Sequence, residues 1–106
     1  MMKFVNIEQG SRLELNRGAS GRIILAYGKR KNDKTGFYKE IRDAGYYLAI
    51  HEHNSSLFAL AVPVVSSSSK FVGAIVVSGP ISRFNDKQKI FLLQLLRSQL
   101  NNIVVP

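Results

Sequence analysis

Ser78 is the residue of this sequence best placed to meet a ligand. The stretch from Phe71 to Val77 is apolar or small throughout and reads as a strand, and Ser78-Gly79-Pro80 follows it directly. Proline removes a ladder donor and fixes φ, while glycine supplies backbone freedom, so the strand is expected to end at this turn. One hydroxyl is thereby set at the mouth of an apolar sheet, where a small molecule could reach it. Other candidates are weaker. His51 and His53 are two apart on an expected strand and share a face, as two metal ligands could. No third ligand stands at a suitable spacing and the chain has no Cys, so a surface pair is expected and no metal. Lys29, Arg30, Lys31 and Lys34 crowd one polar stretch, tempered by Asp33. Such a run could face phosphates, but it lacks the interleaved aromatic residues that base stacking needs, and it reads rather as a solvated loop kept soluble by charge.

Catalysis is not expected. Ser, His and Asp are present, yet there is no Gly-x-Ser-x-Gly elbow, and Ala19-Ser20-Gly21 follows no strong strand. Gly18, Gly21 and Gly28 do not form a dinucleotide or phosphate-loop fingerprint. Glu8, Glu14, Glu40 and Glu52 are scattered without a paired-carboxylate pattern.

At 106 residues, 45% of them hydrophobic, the chain has the size and composition of one globular domain, taken as residues 1–106. Fifteen basic residues against seven acidic give a net charge of +8, a surplus that attracts polyanions. The longest apolar run, Leu57 to Val65, is too short for the ~20 residues of a membrane-spanning helix. No signal peptide is read after Met1-Met2-Lys3, and a cytoplasmic protein without membrane contact is expected.

The elements that would position Ser78 follow from pattern. Lys3 to Glu8 alternates and reads as a strand, and Arg12 to Leu15 as a second short extended piece. Ile23, Ile24 and Tyr27 recur at helical spacing, giving a helix from about Ser20 to Gly28. Thr35 is the expected N-cap of a second helix that carries Phe37, Ile41 and Ala44 on one face and ends at Gly45. Tyr46 to Glu52 reads as a strand. Leu57 to Val65 and Phe71 to Ser78 read as strands covered on both faces, joined by the hairpin loop Ser66 to Lys70. Pro63 argues for an edge position or a bulge in the first of these. The last helix is capped by Asn85 with Gln88 at N3, and Leu92, Leu93, Leu96, Leu100 and Ile103 share one face. Phe91 falls off that stripe, as a rim or subunit-interface residue would. An α+β fold results: an antiparallel sheet with helices packed on it and a long C-terminal amphipathic helix.

Three stretches of the sequence resemble the C-terminal effector-binding domain of the IclR-type bacterial transcriptional regulators. Leu15-Asn16-Arg17-Gly18-Ala19-Ser20-Gly21-Arg22-Ile23-Ile24-Leu25-Ala26 is similar to the family's leucine, small residues, glycine, basic residue and apolar helix. Ile41-Arg42-Asp43-Ala44-Gly45-Tyr46 resembles its Ile-Arg-x-x-Gly-Tyr, with Glu52 at its acidic position. Ala59 to Val64 and Val72 to Phe84 resemble its "AAPV" strand and its Ser-Gly-Pro-x-Ser-Arg-Phe arm. The resemblance covers most of residues 12–103 and implies a GAF-like fold.

It also implies a small-molecule effector pocket lined by Ala19, Ser20, Ala49, Leu57, Ala59, Val76 and Ser78, with no cofactor. A helix N-terminus offers free N–H groups to a carboxylate there, although Ser20 as an N-cap and Ser78 as a turn residue would account for both hydroxyls structurally. Family members that bind small oxo-acids tend to carry polar groups where Ala49 and Val76 stand, which favours a more apolar ligand, or none. Partners implied are further copies of the chain, as a dimer or tetramer, and DNA only indirectly through a separate DNA-binding domain. Nothing here matches the family's winged helix-turn-helix or the helix and strands that open its effector domain. A shortened relative or fragment is therefore expected, with a sheet edge that needs cover. Two other readings stay open: an oligomerisation or interaction module whose pocket has degenerated, and a basic nucleic-acid-binding module.

Overall fold

A computed structural model of the chain describes residues 2–6, 18–28, 33–50 and 56–100. Its elements are β1 (Met2–Asn6), α1 (Ala19–Tyr27), α2 (Phe37–Ala44), β2 (Tyr47–Ile50), β3 (Leu57–Val65), β4 (Phe71–Pro80), a 3-10 turn (Ile81–Arg83) and α3 (Asp86–Gln99). The expected short strand at Arg12 to Leu15, and the ends of the strands through Glu8 and Glu52, lie outside the described residues.

The four strands form one antiparallel sheet in the order β1-β4-β3-β2. Side chains alternate across a strand, so β3 and β4 each present two different faces. Phe58, Leu60, Val62 and Val64 with Ile75 and Val77 pack against Leu92 and Leu96 of α3. Ala61 and Ala74, with the partly buried Ala59 and Val76, pack against Ala19, Ile23 and Ala26 of α1 and Ile41 of α2. Large residues thus meet α3, whereas mostly small ones meet α1, with Phe71 stacked on Tyr27 at its end. Both faces are covered, as the unbroken apolar runs required.

Pro63 sits in β3, which is an interior strand of the sheet. Its register explains the tolerance: β2 pairs with β3 only from Phe58 to Ala61, so Pro63, opposite Ala74, has a described strand on one side alone. A ladder irregularity between Val64 and Val65 follows immediately. The hairpin beyond it is closed by Ser66, whose N–H donates to the Lys70 carbonyl at 2.8 Å and whose hydroxyl accepts from the Lys70 N–H at 3.2 Å.

Helix ends follow local chemistry. Asn85 Oδ1 accepts from the Gln88 N–H at 2.8 Å, as the capping pattern predicts. Gly45 ends α2 with φ of 80°, a left-handed conformation that glycine adopts without Cβ strain. The start of α2 differs from expectation. Its N-cap is Gly36, not Thr35, which only accepts from the Phe37 N–H at 3.3 Å. Asp33 does more: its carboxylate accepts from the Tyr38 N–H at 3.2 Å and the Lys39 N–H at 3.0 Å. A negative charge across two orphan donors of the first turn also complements the helix dipole. Asp33→Ala is therefore expected to lower stability by about 1–2 kcal/mol in urea unfolding, with Thr35→Ala costing less. Equal costs would show that Asp33 does not hold the helix start.

α1 and α2 are tied at one end. Arg42 Nη1 donates to the Ala26 carbonyl at 2.8 Å, and the Tyr27 hydroxyl donates to the Arg42 carbonyl at 3.3 Å. Burial raises the Tyr27 pKa above its ordinary value, against the lowering influence of Arg42 and Arg97, so the phenol stays protonated. On α3, Leu92 and Leu96 are buried and Leu93 and Leu100 partly so, while Phe91 is 57% exposed; Ile103 lies outside the described residues. Ala44 is exposed, off the apolar face expected for it.

Candidate functional site

The strand expected to end at Ser78 continues through Pro80. Gly79 pairs with Phe58 and Pro80 with Leu57, and only then does the chain enter the 3-10 turn, where the Ile81 N–H donates to the Ser56 carbonyl at 2.9 Å. Pro80, at φ −65° and ψ 133°, has extended backbone compatible with a strand end. Gly79 allows a close approach: a Cβ there would stand 3.2 Å from the Phe58 ring, which would have to give by a few tenths of an ångström. Ser78 is consequently not a turn residue. It is a half-buried strand residue directly opposite Ala59.

This correction sharpens the site, because register carries the row one strand further. Ala59 pairs with Ala49 on its other side, so Ala49, Ala59 and Ser78 form a line across β2, β3 and β4. One step along, Tyr47, Ala61 and Val76 make the parallel row. Both rows lie on the α1 face. Ala49 is buried, whereas Ala59, Val76 and Ser78 are half-buried. Leu57 shares that face by alternation but sits at the strand end, 38% exposed.

The helix side of the site is the start of α1. Ala19 is buried in the same cluster as Ala49, Ala61 and Ala74, and Ser20 beside it is half-buried. Ser20 is not the N-cap. That position belongs to Gly18, at φ 76°, whose carbonyl accepts from the Arg22 N–H at 3.2 Å. Among the described residues no side chain caps this end, and no acid lies in its first turn. The first amides and the positive end of the helix dipole therefore meet no carboxylate of their own helix.

Two contributors escaped the sequence reading. Arg22 lies in the first turn of α1, with its guanidinium 5.2 Å from the Phe37 ring centroid and 6.0 Å from that of Tyr47. It brings a half-buried cation, and Tyr47 an aromatic wall, to the face that carries Ala49. The signal was present: Arg22 follows Ala19 by three residues and Tyr47 precedes Ala49 by two, which are same-side spacings for a helix and a strand. The arrangement offers an apolar floor, one strand hydroxyl, a helix N-terminus and a cation. Those are the parts that hold a small carboxylic acid with an apolar body.

His51 and His53 lie outside the described residues, as do Lys29, Arg30 and Lys31, while Lys34 is exposed. Among the described residues no group of three His, Cys, Asp or Glu side chains could hold a metal ion. No described helix is long and apolar enough to cross a membrane.

Residues 33–104 match the family model described as the bacterial transcriptional regulator IclR C-terminal domain. Solved structures resemble the fold. The inducer-binding domain of the PobR transcription factor from Acinetobacter, a double mutant in complex with 3-hydroxybenzoic acid, superposes with a TM-score of 0.72 at 21% identity, covering 85% of this chain and 65% of that one. The C-terminal domain of the E. coli transcriptional regulator KdgR gives 0.69 at 20% identity, covering 82% and 66%. The Agobacterium tumefaciens repressor BlcR gives 0.66 at 17% identity, covering 85% and 46%. The chain thus spans from under half to about two thirds of these relatives' length. No match was found among curated protein sequences.

Proposed function

The chain belongs to the family of bacterial IclR transcriptional regulator C-terminal domains, and on that premise we propose that it senses a small carboxylic acid on the α1 face of its sheet. The observation that carries the reading is the row Ala49-Ala59-Ser78, in register across three strands. Ala19 of the α1 N-terminus packs in the same cluster as Ala49. In this proposal Ala49, Ala59, Val76 and Leu57 receive the apolar body of the effector. Ser78 and the first turn of α1, Ala19 and Ser20, receive its polar end by hydroxyl and amide donation. Alanine and valine at the floor favour an aromatic or branched body over a short oxo-acid, because a polar small acid would leave its own groups unpaired there. That PobR, a relative in fold, was crystallised with 3-hydroxybenzoic acid supports choosing this class first.

Signalling requires that the effector prefer one of two arrangements of the domain, which a homo-oligomer with a separate DNA-binding domain then reads. The chain itself acts in this scheme as the sensing domain, contacts DNA only through that other domain, and catalyses nothing.

Thermal unfolding against benzoate, the monohydroxybenzoates and pyruvate tests the reading. A ligand bound only to the folded state stabilises it by RT ln(1 + [L]/Kd), about 2.7 kcal/mol at a hundredfold excess over Kd. For a domain of this size that is a Tm rise of about 10 °C or more. A saturable rise with one aromatic acid, and none with pyruvate, is the expected result. A flat response across the panel would remove sensing of this ligand class and leave a module for assembly alone.

A further inference from the structure

We draw no further inference here: the strongest candidate, the open groove of about 270 Å³ at the outermost described strand β2, lined by Phe37, Ile41, Tyr46, Tyr47, Leu48 and Lys89, is a largely apolar surface for which nothing in the structure shows what covers it.

Discussion

Leu96→Ala is expected to lower the unfolding free energy by about 3–5 kcal/mol. Leu96 is fully buried at the centre of the cluster formed by Phe58, Leu60, Val62, Ile75 and Val77. Truncation removes the transfer energy of several carbons and leaves a cavity that a strand-backed wall cannot collapse to fill. Small domains hold only about 5–15 kcal/mol in total, so this single change consumes a large share of the stability. At roughly 4–8 °C per kcal/mol, Tm should fall by at least 12 °C. Phe91→Ala is the matched control: it removes a larger side chain from the same helix, but one that is 57% exposed. Its cost should stay within about 0.5 kcal/mol in the isolated domain. Comparable losses for both variants would mean that α3 does not present Leu96 to the sheet.

Ser78→Val should weaken the effector by about 10- to 100-fold while shifting the Tm of the free domain by only a few degrees. Valine adds a branch at Cβ that suits a strand and removes the one hydroxyl of the Ala49-Ala59-Ser78 row. A hydrogen bond to a charged group contributes about 1.5–3 kcal/mol, which sets the expected loss. Titration followed by calorimetry reads the affinity directly, and circular dichroism confirms that the fold survives. Undiminished affinity would take Ser78 out of the site and leave its polar contacts to the first turn of α1 and to Arg22.

Much of the fold was legible because the strands carry their two environments in alternate letters. In β3, Phe58, Leu60, Val62 and Val64 interleave with Ala59, Ala61 and Pro63, and the structure sends the first set to α3. Asn85 and Gly45 announced their helix ends through chemistry that depends on no distant residue. What was not legible depended on neighbours. Pro80 looked like a stop, yet a strand end needs no donor where no ladder bond is required of it, and pairing ran on to Pro80. Ser20 looked like a cap, but a glycine with positive φ two residues earlier began the helix first. Asp33 lay three residues before the cap it supplements, a distance that no N-cap pattern covers.

For the site, the resemblance supplied residues that spacing alone could not join. Ala49, Ala59 and Ser78 are ten and nineteen positions apart, and only sheet register makes them neighbours. Arg22 and Tyr47 stand at the right spacings from Ala19 and Ala49, but only the packing of α1 against β2 brings the cation and the ring together.

The unequal faces of the sheet give the molecule two kinds of packing. Against α3 it is held by isoleucine, leucine, valine and phenylalanine, each burying enough surface to contribute about 1.5–3 kcal/mol. Against α1 much of the contact is alanine, which buries far less per residue. Small residues let α1 lie close along β2, β3 and β4, so it is held by many shallow contacts where α3 is held by a few deep ones. α1 is joined to α2 as well, through Arg42 and Tyr27, so the two helices cover that face as one unit.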